Sequence, residues 1–267
     1  MKSSFHLATT ILAALFIWTS GCAGSGHSGV KSGTADAAKS AQASESESAD
    51  GFKVQTNTWQ EDFNLSERTL LTTGRNDYFI LEPGFQLTFE KEADLFSSDE
   101  KLVIIVLDET RTVDGMETRV VEEREWIAGN LVEISRNFFA ICEQTKDVFY
   151  FGEEVDMYRD GKLVSHEGAW LAGEKGAKAG LIMPAKPVVG MKYYQEIARG
   201  AAMDRAEVIK LNDELTTPAG AFTNCLLTKE STALNPLERE FKTYAPGVGL
   251  IQDQKLLLTA YGFVEKQ

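Results

Sequence analysis

The sequence predicts an all-β domain: a large curved antiparallel meander of about ten or eleven strands, forming an open β-barrel or a sandwich. Three observations predict it. Apolar residues recur with period two far more often than with the 3.6-residue period of a helix. Runs rich in Val, Ile, Phe and Tyr are separated by turn residues, among them Asp114-Gly115 and Asp160-Gly161. Asp-Gly between two such runs is the strongest short-range hairpin signal. Helix signals are nearly absent, and a short helix around 65–72 is the one candidate.

The first elements lie outside that domain. Residues 1–21 read as a lipoprotein signal peptide, with Lys2 near the start and an apolar run over 7–18. A run of roughly a dozen residues is well short of the ~20 that span a bilayer as a helix. It ends in Thr19-Ser20-Gly21-Cys22, which resembles the lipobox of bacterial lipoproteins, with Thr19 where that motif usually has an aliphatic residue. The resemblance implies lipidation at Cys22 and attachment to a membrane through the lipid. The alternative is ordinary cleavage near Ala23 with an incidental cysteine. Residues 22–50 are a Gly/Ser/Ala tether whose only large aliphatic is Val30. Such a segment buries too little apolar surface to order itself, and reaches roughly 30 Å as a coil.

Residues 51–267 form the single all-β domain. A β-branched run at 101–107 turns through Asp114-Gly115 into 118–126. The Ala128-Gly129-Asn130 stretch leads to 131–142, and 148–151 follows; Asp160-Gly161 turns into 162–167. In the second half 192–198, 204–215, 221–229, 238–245 and 249–260 read as strands. Between the halves, 171–190 holds three glycines but also Leu181, Ile182 and Met183, so it is apolar where surface loops are polar. It reads first as a plug tucked into the barrel end, second as a flap over a ligand cavity. Trp170, Leu181, Ile182, Met183, Tyr193 and Tyr194 are the candidate cavity or flap residues, with Phe85, Trp126, Phe138 and Phe149 as further inward aromatics.

Chemistry is sparse. The chain carries 40 Asp and Glu against 27 Lys and Arg, a net charge of −13, which argues against nucleic acid and anionic surfaces as partners. His166 is the one histidine of the domain and sits beside Ser165, so strand neighbours pointing to opposite faces cannot form a nucleophile–base pair. No metal site and no cofactor is expected; a zinc site from Cys142, Cys225, His166 and a carboxylate would need three remote strands to converge. Cys142 and Cys225 are either a disulfide, which an oxidising compartment permits, or two separate buried thiols. The acids Glu122, Glu123, Glu125, Glu153, Glu154 and Asp156 read as solvated faces and cross-strand partners of Arg111, Arg119 and Arg124.

Two corners carry a family resemblance. Residues 217–226, with Pro218-Ala219-Gly220 and Cys225, and 242–251, with Tyr244-Ala245-Pro246-Gly247-Val248-Gly249, resemble the C-terminal signature of a family of exported bacterial all-β proteins and lipoproteins. Residues 75–84 and 176–184 are similar to the same family, whose likeness covers most of 63–262; Ala221 stands where its pattern more often has Thr. The resemblance implies a curved open barrel like that of lipoprotein carriers, and brings no activity or catalytic residue. The function expected is a membrane-anchored envelope lipoprotein, a non-catalytic binding module for an apolar ligand or lipid. A structural or protein-interaction lipoprotein comes second and a carboxylate-based hydrolase last. Ala23 and Gly24 after the cysteine resemble the outer-membrane route, facing the periplasm in a Gram-negative cell.

Overall fold

The computed structural model describes residues 58–235 and 237–264, and two short paired strands, Ser46–Glu47 and Lys53–Val54. The signal peptide, Cys22 and the tether apart from that first short strand lie outside the described residues.

One antiparallel sheet of 16 strands makes the domain. Thirteen of them follow one another in space, and they are numbered along the chain. The first half holds β1 (Phe85–Lys91), β2 (Glu100–Val113), β3 (Met116–Ile127), β4 (Asn130–Cys142), β5 (Val148–Arg159) and β6 (Lys178–Met183). The second holds β7 (Lys192–Tyr194), β8 (Glu196–Ile197), β9 (Asp204–Thr217), β10 (Gly220–Thr232), β11 (Glu240–Ala245), β12 (Gly249–Asp253) and β13 (Leu256–Phe263). Their order in the sheet is β7-β9-β10-β11-β12-β13-β1-β2-β3-β4-β5-β6-β8.

The hairpins form where their turn residues allow them. Asp114 and Gly115, Ala128 and Gly129, and Asp160 and Gly161 all have positive φ, as a two-residue turn matched to strand twist requires. The 65–72 helix is not formed. Leu65–Glu67 is a single 3₁₀ turn, after which Leu70–Leu71 pairs with the end of β4. One turn adds little helix stability of its own, and ladder bonds to a sheet edge outweigh it.

The sheet nearly closes on itself through one segment. Its two outer members, β7 and β8, are consecutive in the chain with only Gln195 between them. Tyr193 pairs with Ala206 of β9, while Glu196 pairs with Ala179 of β6. Gln195 N–H donates to the Asp204 carbonyl at 2.8 Å between the two pairings. Gly180 makes this seam possible. A Cβ there would lie 2.4 Å from the Gln195 carbonyl oxygen, so any side chain would push β6 off the closing segment.

The 171–190 segment therefore differs from its expected role. It is neither plug nor flap; its centre is β6, a wall strand paired with β5 on one side and β8 on the other. Six residues between glycines and prolines are too short a run to announce a strand by period alone.

Candidate functional site

In a closed sheet every second residue of each strand faces the interior. The interior holds an apolar cavity and a cluster of buried acids. Phe79, Phe85, Leu87, Ile104, Val121, Phe139, Ile182 and Leu250 line the cavity, which has about 80 Å³ open to the centres of water molecules. That is several times the roughly 10–15 Å³ one water needs, so the barrel is not solidly filled. The cavity floor is polar: Glu123, Gln195, Glu230, Lys242 and Tyr244.

That floor belongs to a belt of buried carboxyls supplied strand by strand. β3 gives Glu123, β4 Glu133, β5 Glu153 and β8 Glu196. β9 contributes Asp204, β10 Glu230, β11 Glu240 and β12 Asp253. Register aligns neighbours, with Glu230 opposite Glu240 and Lys242 opposite Asp253. The single lysine among them is Lys242, whose Nζ lies 2.8 Å from Glu230 Oε2 with both side chains buried. The Tyr244 hydroxyl reaches Glu230 at 3.4 Å, and the Tyr150 hydroxyl donates to Asn137 at 2.8 Å beside Glu153.

Eight carboxyls around one ammonium cannot all be ionised, because an unpaired buried charge costs several kcal/mol. Desolvation pushes Glu123, Glu196 and Glu240 up to about 8, Glu133 to about 7 and Asp253 to about 6. Burial raises Glu153 and Asp204 well above the carboxylate range, and neighbouring carboxylates add to it. Burial alone would lower Lys242, yet Glu230 and Asp253 hold it well above an ordinary lysine. The belt thus holds several protons at neutral pH.

Several of its polar atoms find no hydrogen-bond partner among the described residues. They are Glu133 Oε2, both Glu153 oxygens, Glu196 Oε2, Asp253 Oδ1, both Glu240 oxygens, the Tyr193 hydroxyl and Trp170 Nε1. Native interiors leave few such groups unpaired, so this concentration sets the belt apart from the rest of the core. No three His, Cys, Asp or Glu side chains among the described residues converge as a metal site.

The fold is similar to two solved structures. One is a Bacteroides fragilis protein provisionally described as exported, with a YmcC-like fold: 17% identity, TM-score 0.29, covering 70% of this chain and 100% of that one. The other is a Parabacteroides distasonis protein provisionally described as a lipoprotein: 12% identity, TM-score 0.32, covering 71% of this chain and 100% of that one. No family model and no curated protein matches the chain.

The structure distributes the sequence-predicted residues over both faces of the wall. Ile182 lines the cavity, as does Phe85. Trp170 stacks edge-on against Tyr150 at 5.0 Å and, with Tyr193, is buried with an unpartnered polar atom. Met183 is buried opposite Val148. Leu181 and Phe149 instead line a separate groove with Arg68, Asp147 and Lys186. That groove is larger, about 360 Å³, but Arg68 is already bound to the Phe63 carbonyl, Thr145 and Asp147. Tyr194 packs against Trp59, with Arg205 over both rings.

Of the two readings of the cysteines the structure has the second, and the reading of the acids is corrected. Cys142 and Cys225 are both free buried thiols, carried on β4 and β10, which are not neighbours in the sheet. Cys142 Sγ meets Arg68 and Gln144 instead. The acids are not all solvated. Glu122 pairs across neighbouring strands with Arg136 and along its own strand with Arg124, and Glu154 pairs with Arg111 from a strand further round the sheet. Glu123 and Glu153, their sequence neighbours, point to the other face and are buried in the belt. His166 is largely exposed, its Nδ1 at 3.0 Å from Asp156 and 2.7 Å from the Val155 carbonyl.

Proposed function

We propose that the protein is a cell-envelope lipoprotein whose barrel is a non-catalytic binding module for an apolar or amphiphilic ligand. The observation that carries this reading is the interior cavity, apolar on its walls and polar only at its floor. Binding sites for small ligands combine an apolar lining with a few convergent polar groups. Attachment through a lipid on Cys22, with the tether lifting the barrel clear of an outer membrane's periplasmic face, completes the reading. Replacing Cys22 with Ser is expected to move the protein from the membrane to the soluble fraction; persistence in the membrane would contradict the anchor.

Octan-1-ol tests the cavity. Calorimetric titration of the mature chain without lipid, residues 23–267, is expected to give saturable binding at one site. Ile104→Trp, which fills the cavity, is expected to weaken it at least about tenfold, ~1.4 kcal/mol. Equal binding by the variant would place the alcohol elsewhere and overturn the reading.

A second reading has an observation of its own. Leu95, Phe96 and Leu237 are almost fully exposed on loops. Asp94 lies 3.9 Å from Lys255 and Gln254 N–H donates to the Phe241 carbonyl, which brings both loops to one rim of the barrel. An apolar rim of this kind supports a protein-interaction role. The raised carboxyls would also serve a carboxylate-based hydrolase, which needs a proton held near neutrality. Loss of octanol binding in Ile104→Trp with the rim intact separates the cavity from the rim, and release of octanol from an octyl glycoside would mark the hydrolase.

A further inference from the structure

We infer that the carboxyl belt is a subsite for an organic cation, so that the ligand of the barrel is an amphiphile with an amine-bearing head. This rests on the reading of the cavity as a ligand site and names the chemistry at its floor.

Three features carry the inference. The first is charge. Eight buried carboxyls face one lysine, and that lysine is already paired with Glu230 at 2.8 Å. A guest bearing an anion would find no free counter-charge among these acids, whereas an ammonium can pair with the carboxylate left when one of them gives up its proton, in a medium where the pair is poorly screened. The second is the arrangement. The carboxyls are spread round the wall on eight different strands, and no three donors converge at metal-binding distance among the described residues. A ring of this width suits a guest with several N–H donors better than a bare ion. The third is independent of the acids. The Tyr193 hydroxyl is fully buried and unpartnered, close enough to Glu230 and Tyr244 to couple with both. Trp170 Nε1, on the residue paired with Glu153, is likewise buried and unpartnered. Both hydrogen-bond groups are available to a head that carries acceptors beside its amine.

Proton balance accompanies the binding. A carboxyl that is neutral in the empty barrel gives its proton to solvent when an ammonium arrives, leaving a carboxylate–ammonium pair of zero net charge. Carboxyls that titrate near neutrality are the ones able to do this. Preference for the amine is therefore expected to strengthen as pH rises through 6–8 and to fade below that window, with Lys242 charged throughout.

The test compares octylamine, octan-1-ol and octanoate, which share one tail, by titration of residues 23–267 at pH 7.5 and pH 5. The expected result is octylamine binding at least about tenfold tighter than octanol at pH 7.5, the two converging to within about twofold at pH 5. Glu133→Gln and Glu123→Gln are each expected to lower that ratio at pH 7.5. A thermal melt identifies either variant that fails to fold, and the other then decides. Equal binding of the three, or tightest binding of octanoate, would overturn the cationic subsite while leaving the cavity reading standing. If none of the three binds, the cavity reading falls and the subsite with it.

Discussion

Between pH 5.5 and pH 8 the ligand-free protein is expected to lose stability with every unit of rise. Glu123, Glu196 and Glu240 hold their protons to about pH 8 in the fold, and Glu133 to about 7. In the unfolded chain the same groups ionise near pH 4.3. Across the window between those values the folded state binds more protons than the unfolded state, so stability falls as pH rises. Each net proton contributes ~1.4 kcal/mol per pH unit. Even one such proton lowers the melting temperature by about 3–6 °C per unit for a domain of this size. Groups of opposite sign exist: Lys229 and Lys192 hold Glu207 below the usual range against burial, and Lys210, with the Glu214 N–H, does so for half-buried Asp213. Their contribution is lost only as pH falls below about 4, and solvent screening keeps it small. Melting curves at half-unit steps check this. A flat or rising profile from 5.5 to 8 would mean that the belt is ionised in the fold.

The second large effect is at Lys242. Lys242→Met removes the one cation of the belt and leaves Glu230 buried beside neutral or anionic neighbours. Breaking a buried ion pair from one side costs about 3–5 kcal/mol, far more than the pair itself is worth. The variant is expected to melt about 10 °C lower at pH 7, since each kcal/mol moves a domain of this size by roughly 2–4 °C. Most of that loss is expected to return in the double variant Lys242→Met/Glu230→Gln, which leaves no orphaned charge. A single variant as stable as the parent would show that water, not Lys242, compensates Glu230.

The two effects have one origin. Barrel closure turns one face of every strand into interior, and this sequence places acids there as well as hydrophobes. The wall itself was legible: period-two runs and the Asp114-Gly115 and Asp160-Gly161 turns lead directly to the observed hairpins. Its closure was not. The seam depends on Gly180, whose missing side chain admits the Gln195 backbone, and a lone glycine in an apolar hexapeptide reads equally well as a loop residue.

The belt was illegible for a related reason. Glu122 and Glu123 look alike in the sequence, and alternation guarantees only that they face opposite ways. Which face is inside depends on curvature, a property of the whole sheet. A trace of signal existed: Glu123 is in phase with Val121, which lines the cavity, and Glu122 is out of phase with it. At Glu153 even that phase is lost, because the register slips between Tyr150 and Gly152. Among the residues expected at a cavity, Ile182 is there and Tyr193 lies beside the belt, whereas Leu181 and Tyr194, one residue away from each, face outward. The strands were found more readily than the direction of their side chains.

Native mass spectrometry tests the central claim, that the interior of this barrel is a ligand site, most directly. The chain from residue 23 onward would be exported behind a signal without the lipidated cysteine and purified with no detergent. A stoichiometric adduct that leaves on denaturation is the predicted result, and its absence in Ile104→Trp would place it in the cavity. A bare chain mass, persisting after envelope extract is added back, would contradict the claim and leave the apolar rim as the working surface.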